Sequence, residues 1–158
     1  MSDTAHTPSV SEMPAQHPAA PETAAQSRAR FFNSGNAFDV KLPEVPDMAF
    51  VDEPATALNP ETDTGVIDCD ISEQLECAFP ATSPLVLASY ARIRAEESLT
   101  MEPRASGIIA YVIQGDGVTE CNGEEITWKP GDIMLFPGGT VQNHQAGDED
   151  AVLWVVSN

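Results

Sequence analysis

Three histidines occur in the chain, and only His144 lies outside the first thirty residues. Gln142 stands two places before it, so on an extended strand both side chains point the same way. An imidazole can act as a general base or a metal ligand near neutral pH. A neutral amide can orient a polar ligand but cannot move protons. Acid–base catalysis by His144 would need a carboxylate and a hydroxyl in the same cavity, and Glu102 and Tyr111 are the candidates. Gln142, His144, Tyr111 and Glu102 therefore form the set that could line a pocket, and none is assigned a catalytic role. A mononuclear metal centre needs about three His or carboxylate ligands, of which His144 and Glu102 could be two. Cys69, Cys77 and Cys121 have no metal-binding spacing and read as free thiols of a reducing cytoplasm. Glu120, Glu124 and Glu125 read as exposed hairpin charges. No nucleophile-elbow or phosphate-cradling motif occurs.

The elements that must position these residues begin at Pro84, where the apolar period becomes two. Residues 85–93, 98–101 and 108–113 read as strands, and Tyr111, between Ala110 and Val112, reads as a core side chain. Strands over 118–121 and 125–128 flank Asn122-Gly123, a pair suited to the positive φ angles of a tight hairpin turn. Lys129-Pro-Gly-Asp132 makes the next turn, 133–136 is a fully apolar strand, and Pro137-Gly-Gly139 turns again. A strand over 141–145, a polar loop over 147–150 and a buried final strand over 151–156 follow. Short strands between Gly/Pro turns predict one antiparallel sandwich or barrel over 84–158. Upstream, Asp70-Ile-Ser-Glu73 has the form of a capping box and predicts one short helix near 71–78.

The formal charge of −18, with seven Lys and Arg, excludes nucleic acid and anionic membrane as partners. No apolar run reaches membrane-spanning length, and the N-terminus lacks the order of a signal peptide, so a cytoplasmic location is expected. Residues 1–30, rich in Ala, Pro, Ser, Thr and Gln, predict a mobile tail holding His6 and His17. Residues 31–83 predict an extended arm. Its large apolar groups, Phe31, Phe32, Phe38, Val40 and Leu42, are expected to lie against a partner or the chain's own barrel. Pro43 and Pro46 keep it from being helical. Residues 44–76 carry ten acidic side chains and no basic one, and read as a solvated acidic loop.

Residues 84–158 resemble the cupin superfamily of jelly-roll barrels. Tyr111-Val-Ile-Gln-Gly115-Asp-Gly117 is similar to the end of the first cupin motif, and Asn122-Gly-Glu to the hairpin between motifs. Trp128-Lys-Pro-Gly-Asp132-Ile-Met-Leu-Phe-Pro137-Gly-Gly139 is similar to the second motif. The resemblance implies a mainly β, antiparallel jelly-roll barrel with an extended N-terminal arm and one short helix. Carried over position by position, the family's glutamate ligand falls on Ile108. Its first two histidines fall on Met101 and Pro103, or on Glu102 and Arg104, and its last on Gln142. All four ligands are missing, which implies no metal in this barrel; a shifted ligand at His144 with Glu102 as helper is the lesser alternative. The segment also resembles the first barrel of gentisate-type ring-cleaving dioxygenases. In size, lost ligands and apolar arm the chain resembles the small, non-catalytic subunits of hydroquinone 1,2-dioxygenases. That resemblance implies no cofactor here, Fe(II) in a larger two-barrel partner subunit, two copies of each chain, and a diphenol and O2 as substrates of the complex. Two other readings stay open: a metal-free epimerase or isomerase using His144, Glu102 and Tyr111, and a small-molecule-binding module.

Overall fold

The computed structural model describes residues 18–29, 31 and 45–158. The chain forms two compact units, Met1–Leu42 and Pro43–Asn158. Within the described part of the first, a short helix α1 (Ala24–Arg28) occupies the stretch expected to be tail. Its capping box explains it: Thr23 Oγ1 accepts from the Gln26 backbone N–H, while the Gln26 side chain accepts from the Thr23 backbone. Phe31 is exposed. Phe32, Phe38, Val40 and Leu42, with His6 and His17, lie outside the described residues.

The second unit is an antiparallel jelly roll of two facing sheets. Its strands are β1 (Gly65–Asp68), β2 (Leu87–Ile93), β3 (Ser98–Met101), β4 (Gly107–Gln114) and β5 (Gly117–Cys121). They continue with β6 (Glu124–Trp128), β7 (Ile133–Pro137), β8 (Gln142–Ala146) and β9 (Ala151–Ser157). One sheet has the order β1-β2-β9-β4-β7 and the other β3-β8-β5-β6. Alternate side chains from both meet in one core that includes Ile93, Ile108, Val112, Trp128, Phe136 and Leu153. Between β5 and β6, Asn122 (φ 55°) and Gly123 (φ 79°) take the two left-handed positions that a primed hairpin turn requires. Gly131 (φ 92°) and Gly139 (φ 71°) do the same for the turns on either side of β7.

Four sequence expectations are corrected. The sheet begins before Pro84, because β1 pairs with β2 from Gly65↔Arg92 to Asp68↔Ser89. The segment read as an arm contains a helix α2 (Asp52–Leu58), started by Asp52 and Glu53 and tolerant of Pro54 in its first turn. No helix forms over 71–78, where residues 72–76 make turns only. Asp70 Oδ1 accepts from the backbone N–H of Ser72 at 2.8 Å, but also from Ala81 at 2.9 Å across the loop. It thus ties the segment's two ends together instead of starting a helix, and Glu76 breaks the turn at φ 53°. Finally, Tyr111 is not in the core. It lies on the outer face of β4, 39% exposed, while Ala110 and Val112 point inward.

α2 and the loop behind it cover the outer face of β1 and β2. Arg92 anchors them from a fully buried position on β2. Its guanidinium donates to the carbonyls of Thr62 (2.8 Å), Ala57 (2.9 Å) and Pro60 (3.3 Å) and pairs with the Asp150 carboxylate. Among the described residues no helix is long and apolar enough to cross a membrane.

Candidate functional site

The interior polar site is built on β8. Gln142 and His144 are both 0% exposed and face the core, with Asn143 between them facing out. Strand pairing fixes their neighbours. β3 sets Met101 opposite Gln142 and Leu99 opposite His144; β5 sets Cys121 and Thr119 in the same two places on the other side. Phe136 lies edge-on to the imidazole, ring centroids 6.0 Å apart.

A directed chain of hydrogen bonds crosses this interior. The Trp128 indole N–H donates to Thr119 Oγ1 at 2.9 Å. Thr119 Oγ1 lies 2.7 Å from His144 Nδ1. With the indole proton accepted, the threonine's own proton is available for Nδ1, which leaves the proton of the neutral imidazole on Nε2. His144 Nε2 and Gln142 Oε1 are buried without hydrogen-bond partners. One is then a donor and the other an acceptor, on the same face of one strand. Each such orphan costs about 1–3 kcal/mol. Burial pushes the His144 pKa down to about 4, so the ring is neutral at physiological pH.

Of the sequence candidates, only Gln142 and His144 come together. Both are enclosed. Glu102 is exposed and lines a cleft of about 290 Å³ between the sheets, with Val66, Ser89, Thr100, Met101 and Val155. Tyr111 is outside the barrel on the opposite sheet. His144, Glu102 and Tyr111 therefore do not face one cavity. A larger, mostly apolar groove of about 630 Å³ adjoins the cleft, lined by Phe79, Pro84, Leu85, Val86 and Arg104 among others. Sequence reading missed Thr119 and Trp128, because their link to His144 depends on strand register, which no local motif encodes.

The register also chooses between the two ways of placing the motif. Met101, beside Gln142, and Pro103 are half-buried, whereas Glu102 and Arg104 are exposed, so the motif falls on Met101, Pro103, Ile108 and Gln142, with Met101, Ile108 and Gln142 on strands facing the interior. A thioether, an alkyl group and an amide beside one imidazole do not match the His/carboxylate donor set of a mononuclear iron centre. Among the described residues no three His, Cys, Asp or Glu side chains gather as a metal site would require.

A family model, the cupin domain, matches residues 94–157. Two curated relatives are similar over part of the chain. The 5-aminosalicylate 1,2-dioxygenase of a Comamonas species is 31% identical over 77 residues, 49% of this chain and 21% of that protein. The arabinose operon regulatory protein of Salmonella typhimurium strain LT2 is 43% identical over 47 residues, 30% of this chain and 16% of that protein. The chain thus spans about a fifth or less of the length of the curated relatives it matches. Among solved structures, a salicylate 1,2-dioxygenase from Pseudaminobacter salicylatoxidans aligns with a TM-score of 0.48 and 19% identity. That alignment covers 59% of this chain and 26% of the other.

Proposed function

We propose that this cupin-domain chain is a metal-free structural subunit of a heteromeric aromatic ring-cleaving dioxygenase of the hydroquinone 1,2-dioxygenase type. Its partner is a larger two-barrel subunit that holds Fe(II), and the ring cleavage of a diphenol by O2 belongs to that subunit. This chain stabilises the partner and shapes the approach to its active site, with the segment containing Phe31, Phe32, Phe38, Val40 and Leu42 as a contact. The observation that carries the reading is the donor set inside the barrel. A cupin barrel with Met101, Ile108 and Gln142 at its interior ligand positions keeps the walls of a metal site without its ligands. The likeness to a 1,2-dioxygenase over 77 residues supports the reaction class. Oxygen uptake tests it: the purified chain, supplied with Fe(II) and hydroquinone, consumes no O2, and turnover appears only with an iron-bearing two-barrel subunit present. Saturable uptake by this chain alone would overturn the proposal.

A second reading, a small-molecule-binding module, is favoured by one observation. The His144 Nε2–H and the Gln142 carbonyl form an unpartnered donor–acceptor pair in the barrel. A hydroxyl group has both the acceptor the one lacks and the donor the other lacks. Titrating neutral hydroxylated compounds while observing the His144 ring by NMR decides it, since ligand entry must move those resonances. The epimerase alternative loses support, because its hydroxyl candidate, Tyr111, lies outside the barrel.

A further inference from the structure

We propose that the half of the five-stranded sheet's outer face that no described residue covers is the surface on which a second copy of this chain docks, sheet against sheet about a two-fold axis. The proposal does not depend on the function proposed above.

The surface is one continuous apolar block. Ile109, Tyr111 and Ile113 project from β4, Ile133 and Leu135 from β7, and Trp154 from β9. Register makes them neighbours: Leu135↔Ile109, and Ile133↔Tyr111↔Trp154, are direct cross-strand pairs. Ile133 is 66% exposed and Leu135 72%. None of the six carries a charge. The other half of the same face is already covered by α2 and its loop, held by Arg92. Over β9, β4 and β7 the sheet is therefore apolar on both faces, and over β1 and β2 the chain itself closes the outside.

Area and shape point to a second copy as the cover. The six side chains leave on the order of 600 Å² open, so two copies would bury on the order of 1,200 Å², the lower bound for a stable specific interface. Sheet faces pack about 10 Å apart, roughly the thickness of one helix layer. α2 forms a step of that height beside the bare block. With the two-fold axis in the interface and along the strands, each copy's step falls beyond the free edge of its partner's β7, and the surfaces are self-complementary. Charge sets the salt dependence. The turns at the Ile113 end carry Asp116, Asp132, Asp148 and Glu149, and the whole chain is at −18. Like charges then approach at one rim, so the association is apolar at its centre and repulsive at its margin. A partner of complementary charge would show the opposite salt response.

Light scattering with size-exclusion chromatography on the full chain tests this. The expected mass at about 200 µM is twice the 16.9 kDa chain, and the dimer tightens when salt is raised to about 0.5 M. The double variant Ile133→Glu/Leu135→Glu weakens association about 100-fold or more while circular dichroism is unchanged, and Thr127→Glu on the opposite, polar sheet has no effect. A readout on the unmodified protein keeps the test independent of variant folding: Trp154 emission shifts to the red on dilution, while buried Trp128 does not change. A monomer at the highest concentration overturns the proposal, including a monomer whose Trp154 is shielded by its own N-terminal unit. So does a dimer indifferent to the double variant, or one that loosens with salt.

Discussion

The outer faces of the two sheets are opposites. On the four-stranded sheet, Ser98 and Thr100 of β3, Asn143 and Gln145 of β8, Glu120 of β5 and Glu125 and Thr127 of β6 look outward. Their rows are polar apart from the half-buried Val118 of β5, with Thr100 donating to the Asn143 side chain at 3.2 Å. On the five-stranded sheet the corresponding positions are Ile109, Tyr111, Leu135, Ile133 and Trp154. An antiparallel sheet wetted on one side alternates apolar and polar; one whose strands are apolar throughout is meant to be covered on both sides. The first sheet meets that rule with water. The second meets it with α2 over β1 and β2, and with nothing from the described residues over β4 and β7.

The largest expected effect comes from removing the cover's anchor. Arg92→Ala leaves three carbonyls and the Asp150 carboxylate without their buried donor and should lower stability by about 4 kcal/mol. Urea unfolding measures the loss, and a rise in dye binding by the native state would report the newly bared half of the sheet. A variant as stable as the parent would mean that α2 is held by something other than Arg92.

The interior is next. His144 titrates near 4 in the fold against an ordinary value of 6.5, so between those pH values the unfolded chain binds the extra proton. Its contribution is intact above about pH 6.5 and is lost as pH falls toward 4, at most about 3 kcal/mol. The parent's unfolding midpoint should fall across that window, and His144→Gln should flatten the slope. Asp70 and Asp150 act at lower pH. Hydrogen bonds from the backbone of Ala81 and Ala95 respectively, ahead of other causes, hold their carboxyls below the usual range. That acid loss should persist in the variant.

Thr119→Val removes the acceptor of the Trp128 indole and the partner of His144 Nδ1 together, and should cost about 2 kcal/mol by thermal or urea unfolding. The smallest effect tests the outer faces directly. Leu135→Ser, on a side chain 72% exposed, should change the unfolding free energy by less than about 0.5 kcal/mol while reducing self-association.

Much of the barrel was legible in sequence because its turns are chemically marked. Asn122-Gly123, Gly131 and Gly139 take the left-handed angles their residue types suggest. The elements ahead of Pro84 were harder for physical reasons. β1 is four residues long inside an acidic run, and its strand character comes from pairing with β2. α2 has no side-chain cap at Val51 and carries Pro54, so its start looks weak locally. The Asp70 segment looked helical because the second duty of its carboxylate, holding Ala81, is eleven residues away. At the site, the pairing of Gln142 with His144 followed from strand parity. The outward placement of Tyr111 did not, because where both faces of a strand are apolar, periodicity cannot tell inside from outside. Thr119 and Trp128 become visible as partners of His144 only once β5, β6 and β8 are in register.

Iron binding tests most directly the proposal that the interior is a wall without a metal centre. The purified chain is incubated anaerobically with excess Fe(II), passed through a desalting column and analysed for metal, with the His144 ring followed by NMR. The prediction is iron far below one per chain and unperturbed ring resonances. One iron retained per chain, broadening the His144 signals and lost in His144→Gln, would contradict it.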